Sequence, residues 1–255
     1  MQLFARTHGS GPPLVILHGL FGSSNNWNSL ARKLGEHFTV FALDLRNHGH
    51  SPHDALHTYP AMADDVRQFL VGRNIRTTRL MGHSMGGKVA MELSLTHPEV
   101  VTSLVVVDIA PVAYPGSHDL LIDTLLALPS ESYGSRAEAD RELQKNIPDE
   151  RVRSFLLTNL RRSADGTYVW GIPLDVLKAH RADLSAGLRG GRTFDGPALF
   201  VRGDRSDYVL PEYSSEILTL FPRGKITTVQ GAGHWVHADA PEAFLGTVLP
   251  FLLGD

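Results

Sequence analysis

The chain has 255 residues, is 42% hydrophobic and carries a formal charge of −3, enough apolar material for one large α/β domain or two small ones. Acidic and basic residues are interspersed, which leaves no basic stripe for nucleic acid and no polybasic patch for a membrane surface. With no cysteine, disulfides, thiol catalysis and cysteine-ligated zinc are excluded together, and a reducing compartment suits the chain.

In chain order, short apolar runs ending in glycine, histidine or aspartate read as strands: LVILH (14–18), FTVFALD (38–44), TRLMG (78–82) and SLVVVD (103–108). Between them NNWNSLARKLGE and YPAMADDVRQFLVGRN have helical spacing, the second with Thr58 as N-cap and Pro60 in its first turn. Strand and crossover helix in alternation predict a mostly parallel sheet. From Pro111 to about Gly190 the strand pattern stops, and LLIDTLLAL, RVRSFLLTNL and LDVLKAHRADL carry helical spacing instead. Strands return with PALFVRG (197–203) and KITTVQG (225–231), each followed by a helix, PEYSSEILTLF and PEAFLGTVLPFLL. The expected organisation is a core of residues 1–110 and 191–255 with a helical cap at 111–190. MQLFARTHGSG has no basic-then-apolar leader, and no apolar run nears the roughly 20 residues of a membrane span. A cytoplasmic protein with neither membrane nor nucleic-acid partner is expected, of unspecified oligomeric state.

The stretch MGHSMGGKV (81–89) fits two motifs. Gly82 to Lys88 matches G-x-x-x-x-G-K, the phosphate-cradling loop of nucleotide hydrolases, but the next residue should offer a hydroxyl to Mg²⁺. Val89 stands there, and an isopropyl group cannot coordinate a hard cation. Val89 reads as a buried position on a helix beginning near Ser84, and Lys88 as a solvated residue of its first turn. Gly82-His83-Ser84-Met85-Gly86 also matches G-x-S-x-G, the strand-to-helix turn that exposes a nucleophilic serine.

The serine reading makes further demands. A hydroxyl needs a base, and the base needs a carboxylate that holds its tautomer, in the chain order Ser, Asp or Glu, His. His234, in GAGHW after the last strand, is the candidate base; Asp108 and Asp207 both lie between it and Ser84 in order. Two N–H donors are needed for the oxyanion, and Met85 and Leu20, in the glycine-flanked loop His18-Gly19-Leu20-Phe21-Gly22, are placed to supply them. Phe21 and Trp235 are the expected pocket residues, with Leu125, Phe155 and Leu160 as cap candidates. His18 and His83 read as loop-orienting residues, and Arg46 and Asn47 as a brace beneath the site. H-x-H at His48 and His50 and H-x-x-H at His234 and His237 lack the H-E-x-x-H of a zinc hydrolase, so no functional metal site is expected.

These motifs together resemble the α/β-hydrolase-fold serine esterases and, among them, the YbfF-type subgroup. LHGLFGS (17–23), DLRNHGHS (44–51), GHSMGGK (82–88), VVDIAPV (106–112) and GAGHWVHAD (231–239) carry the resemblance across nearly the whole chain. It implies a helical cap inserted after the sixth strand and cofactor-free hydrolysis of a small-molecule carboxylic ester or thioester. In the subgroup the aspartate of VDIAP, here Asp108, is available as the acid, whereas most of the superfamily uses the loop where Asp207 stands. Both aspartates remain candidates. Carbon–carbon bond hydrolysis, lactone opening and perhydrolysis use the same machinery, and a slow or non-catalytic small-molecule receptor is the alternative from another class.

Overall fold

The computed structural model describes residues 1–116, 118–129, 133–188 and 190–254. The strands are β1 (Ala5–His8), β2 (Pro13–Leu17), β3 (Thr39–Leu43), β4 (Thr78–His83), β5 (Val101–Val107), the pair β6 (Leu160–Arg162) and β7 (Tyr168–Trp170), β8 (Ala198–Gly203) and β9 (Gly224–Val229). Seven of them form one sheet in the order β1-β3-β2-β4-β5-β8-β9. Only β1 runs antiparallel to its neighbour; every other pairing in this sheet is parallel.

Side chains alternate across the central strands, so each strand feeds two cores. Val15, Leu17, Leu80, Leu104, Val106 and Phe200 face one side, packing with α2 (Tyr59–Gly72), α3 (Met85–Thr96) and α9 (Ser214–Leu220). Leu14, Ile16, Met81, Val105, Val107 and Val201 face the other, against α1 (Asn28–Leu34), α10 (Val236–Asp239) and α11 (Pro241–Leu253). Burial on both faces explains why these strands read as unbroken apolar runs. As expected, Thr58 caps α2 by accepting from the Ala61 N–H, and Val89 is fully buried in α3.

Between β5 and β8 lie α4 (Asp119–Ala127), α5 (Arg136–Gln144), α6 (Glu150–Leu157), β6, β7, α7 (Leu174–Ala179) and α8 (Arg181–Ser185). Two details differ from the sequence reading. The strand before this segment is the fifth in chain order, not the sixth, because β1 is the sole strand ahead of β2. The segment is also not wholly helical: β6 and β7 form an antiparallel hairpin closed through Ser163 and Gly166, with strands of three residues each, too short for an alternating pattern to register. α5 has only Ala139 and Leu143 buried, too few apolar positions for helical spacing to register in the sequence. Among the described residues, no helix is long and apolar enough to cross a membrane.

Candidate active site

Loops at the carboxyl edge of the sheet converge, among them those after β2, β4, β5, β8 and β9. Such an edge is where a parallel sheet leaves an open crevice. Ser84 sits between β4 and α3 with φ +52° and ψ −120°, a conformation that costs a non-glycine residue energy. The turn is tight enough that a Cβ on Gly82 would collide with the Gly86 carbonyl, and one on Gly86 with the carbonyls of Leu17 and His18. Ladder bonds offset the strain. The Ser84 N–H donates to Val107 O at 3.0 Å, and the N–H of Asp108, itself at φ +53°, donates to Val201 O at 2.8 Å.

His234, from the loop after β9, has Nδ1 at 2.8 Å from Asp108 Oδ2 and Nε2 at 3.0 Å from Ser84 Oγ. A carboxylate can only accept, so Nδ1 carries the proton and Nε2 is left to accept from the Ser84 hydroxyl. Asp108 is fully buried; its Oδ1 accepts the Gly203 N–H at 3.0 Å, and its Oδ2 also accepts the Ser206 hydroxyl. Asp207, the other aspartate of the sequence reading, is exposed and forms no hydrogen bond or ion pair among the described residues. The backbone after β8 turns its neighbour Ser206 inward instead. Asp204 accepts the Ala232 N–H at 3.1 Å and shapes the turn.

The loop after β2 is closed by the Gly22 N–H donating to Gly19 O at 2.9 Å. Leu20 and Phe21 occupy its centre, Phe21 at φ +62°. The Phe21 N–H donates to His48 Nε2 at 3.2 Å, whereas those of Leu20 and Met85 donate to no described residue. His18 and His48 hold this loop. Each gives its Nδ1–H to a carbonyl, of Gly19 and Arg46 respectively, and accepts through Nε2 from the N–H of Leu45 and Phe21. With both nitrogens engaged, neither ring is free to ligate a metal. Beneath them Arg46 pairs with Asp65 at 2.6 Å, and Asn47 Oδ1 accepts the Asp54 N–H.

Burial sets the electrostatics. It is the main reason that the imidazoles of His83, His48 and His18 titrate below the usual histidine range, and that His237 is pushed down to about 3. The shifts favour the neutral form of each of these rings. The Tyr208 ring stacks on His234 with centroids 4.0 Å apart. Ser206 and Tyr208 carried no motif in the sequence; only their contacts single them out.

Ser84 and His234 open on a cavity of about 450 Å³, within the range of small-molecule sites. Leu20, Phe21, Tyr208 and Trp235 line it from the core, and His118, Leu121, Val152, Phe155 and Leu156 line it from the segment between β5 and β8. Phe155 packs against Trp235 with ring centroids 5.4 Å apart. Of the three residues of this segment expected at the pocket, only Phe155 lines it; Leu125 and Leu160 are fully buried away from it. Arg151 stands at the rim, ion-paired with Asp239, whose other oxygen accepts the N–H of Gly233 beside His234. Asn159 crosses from the same segment to the Phe21 carbonyl at 2.7 Å.

The chain matches the alpha/beta hydrolase fold family over residues 12–241. It belongs to that family. It is 43% identical over 249 residues to the sn-1-specific diacylglycerol lipase ABHD11 of Mus musculus, covering 94% of this chain and 81% of the relative. Esterase YbfF of Escherichia coli is 35% identical, with 97% and 96% of the two chains covered. Among solved structures, a marine microorganism esterase superposes with a TM-score of 0.96 at 39% identity over 99% of this chain and all of the other.

Proposed function

We propose that the protein is a serine esterase that cleaves a small-molecule carboxylic ester through an acyl-enzyme, with a thioester as the alternative acyl donor. The observation that carries this reading is the unbroken line from buried Asp108 through His234 to Ser84 Oγ, opening on a cavity walled largely by apolar side chains. Ser84 attacks the carbonyl as Nε2 of His234 takes its proton. Asp108 holds the imidazole in the tautomer that can do so and stabilises the imidazolium that results. The N–H groups of Leu20 and Met85, which have no partner among the described residues, receive the oxyanion from turns already fixed by folding. His234 then protonates the leaving alcohol, and water repeats the sequence to release the acid.

The segment 111–190 acts in this reading as a cap that walls the acyl group. Leu121, Val152, Phe155 and Leu156 offer only apolar surface, which suits the acyl chain rather than a charged leaving group. The test is turnover of p-nitrophenyl esters of rising chain length together with labelling by a fluorophosphonate. Wild type is expected to turn the esters over and to be labelled; Ser84→Ala is expected to fold, remain unlabelled and be inactive. Labelling of Ser84→Ala at another serine, or its retained turnover, would remove the nucleophile assignment.

A further inference from the structure

Lys88 lies in the first turn of α3, its N–H donating to the Ser84 carbonyl at 3.1 Å. Far from being solvated, its side chain is almost completely buried. A buried ammonium is costly unless its protons are taken up. Here they are: Nζ donates to Val112 O at 2.9 Å and to Ala186 O, and it stands over the rings of Tyr59 and Tyr114, 5.4 and 4.9 Å from their centroids. No carboxylate joins the cluster among the described residues.

The two carbonyls belong to the two ends of the inserted segment. Val112 is on the way in, seven residues before α4, and Ala186 is on the way out, directly after α8. The two ends are also paired with each other, Tyr114 N–H to Ser185 O at 2.8 Å and Leu188 N–H to Pro111 O at 2.7 Å. They run so close that a Cβ on Gly187 would lie 3.0 Å from the Pro111 carbonyl. The tyrosines extend the grip. Tyr59 OH donates to Leu184 O at 2.7 Å, and Tyr114 OH accepts the Ala110 N–H and donates to the carbonyl of Tyr208, whose ring covers His234.

We infer that Lys88 is a positioning residue that clasps the base of the insertion: its ammonium ties the entry and exit segments to the helix that starts directly after Ser84 and thereby fixes the acyl wall relative to the nucleophile. A charged donor with three protons on one flexible stem suits this task, because a single group must reach carbonyls arriving from two chain segments. A neutral apolar side chain of the same length would fill the space and leave both carbonyls without that partner. The entry segment leads straight to His118 and Leu121 on the cavity wall, so loosening it moves the wall without touching the turn at Ser84.

The kinetic consequence rests on the esterase reading, but the clasp itself can be read without substrate. Amide hydrogen exchange of wild type and Lys88→Met is compared at Tyr114 and Leu188, with the β5 amides as internal reference. Protection at Tyr114 and Leu188 is expected to fall by at least about tenfold in the variant while β5 is unchanged, and Lys88→Arg is expected to restore part of it. With p-nitrophenyl octanoate, KM is expected to rise about tenfold and kcat to change less than about threefold, the signature of lost binding rather than lost chemistry. Unchanged hinge protection in a folded Lys88→Met protein overturns the proposal. If that variant does not fold, the wild type decides alone: exchange at Tyr114 and Leu188 as fast as in exposed loops means that nothing clasps the hinge, whereas protection matching β5, weakened by Lys88→Arg, upholds it. Absence of ester turnover in wild type would reject the esterase reading and leave the exchange result standing.

Discussion

The carboxyl edge of the sheet and the segment between β5 and β8 meet in one cavity but are built on different principles. At the edge, Ser84, Asp108 and Phe21 all sit at positive φ on short loops, held by ladder bonds and by histidines with both nitrogens engaged. The segment contributes apolar side chains from helices, and it joins the core at a narrow base. Strain and hydrogen bonds fix atoms to fractions of an ångström, as chemistry requires. Apolar walls tolerate substitution, as selection among acyl chains would require in the proposed esterase. Changes at the edge should therefore act on kcat, and changes in the segment on KM.

The sharpest way to break that contrast is at the edge itself. Ser84→Ala is expected to lower kcat on p-nitrophenyl butyrate by about 10⁵- to 10⁶-fold with an unchanged circular dichroism spectrum. A loss confined to KM would put Ser84 in the binding wall. Next in size is the pair of aspartates. Asp108→Asn is expected to reduce kcat by about 10⁴-fold, because the amide no longer enforces the Nδ1–H tautomer. Asp207→Asn, exposed and unpaired among the described residues, should stay within about threefold of wild type by the same measure. The reverse ranking in steady-state assays would show that the loop after β8 carries the acid.

A smaller effect is expected from the wall. Phe155→Ala removes an aromatic face shared with Trp235, and losing about 1–2 kcal/mol of apolar contact corresponds to an increase in KM of about tenfold for a long acyl chain. Short-chain esters should be far less affected; an equal loss of kcat on acetate and octanoate esters would mean that the segment takes part in the chemical step.

The smallest effect concerns stability. Burial pushes the Lys88 ammonium down to about 8, against an ordinary lysine value near 10.5. Between those values the unfolded chain binds more protons than the folded one, so this group's contribution to stability rises with pH across that window. Below about 8 the part of its desolvation that the two carbonyls and the tyrosine rings leave uncompensated is fully present. The melting temperature of wild type relative to Lys88→Met should therefore shift in favour of wild type by a few degrees between pH 7 and 10, in the range of about 1–2 kcal/mol for a chain of this size. A flat difference would mean that the ammonium reaches water.

Much of the edge was legible in the sequence because its constraints are local. G-x-S-x-G specifies a turn that only small flanking residues permit, and the apolar runs 14–18, 78–82 and 103–108 register burial on both faces of a parallel sheet. Chain order then put His234 after the last strand and two aspartates before it. Local pattern could not choose between those aspartates: each follows a strand, and what separates them is which carboxylate the backbone turns toward His234. Asp108 turns inward at φ +53°, while the loop after β8 directs Ser206 inward and Asp207 to solvent.

Lys88 shows the same limit from the other side. By type and position a lysine in the first turn of a helix reads as solvated, and nothing within α3 contradicts that. Its burial is decided by Val112 and Ala186, 24 and 98 residues away along the chain. Residue type and periodicity determined the strands, the helices bordering them and the tight turn at Ser84, because these depend on neighbours in sequence. The partner of His234, the depth of Lys88 and the share of the insertion that faces the cavity depend on segments distant in sequence, and only their packing together decided them.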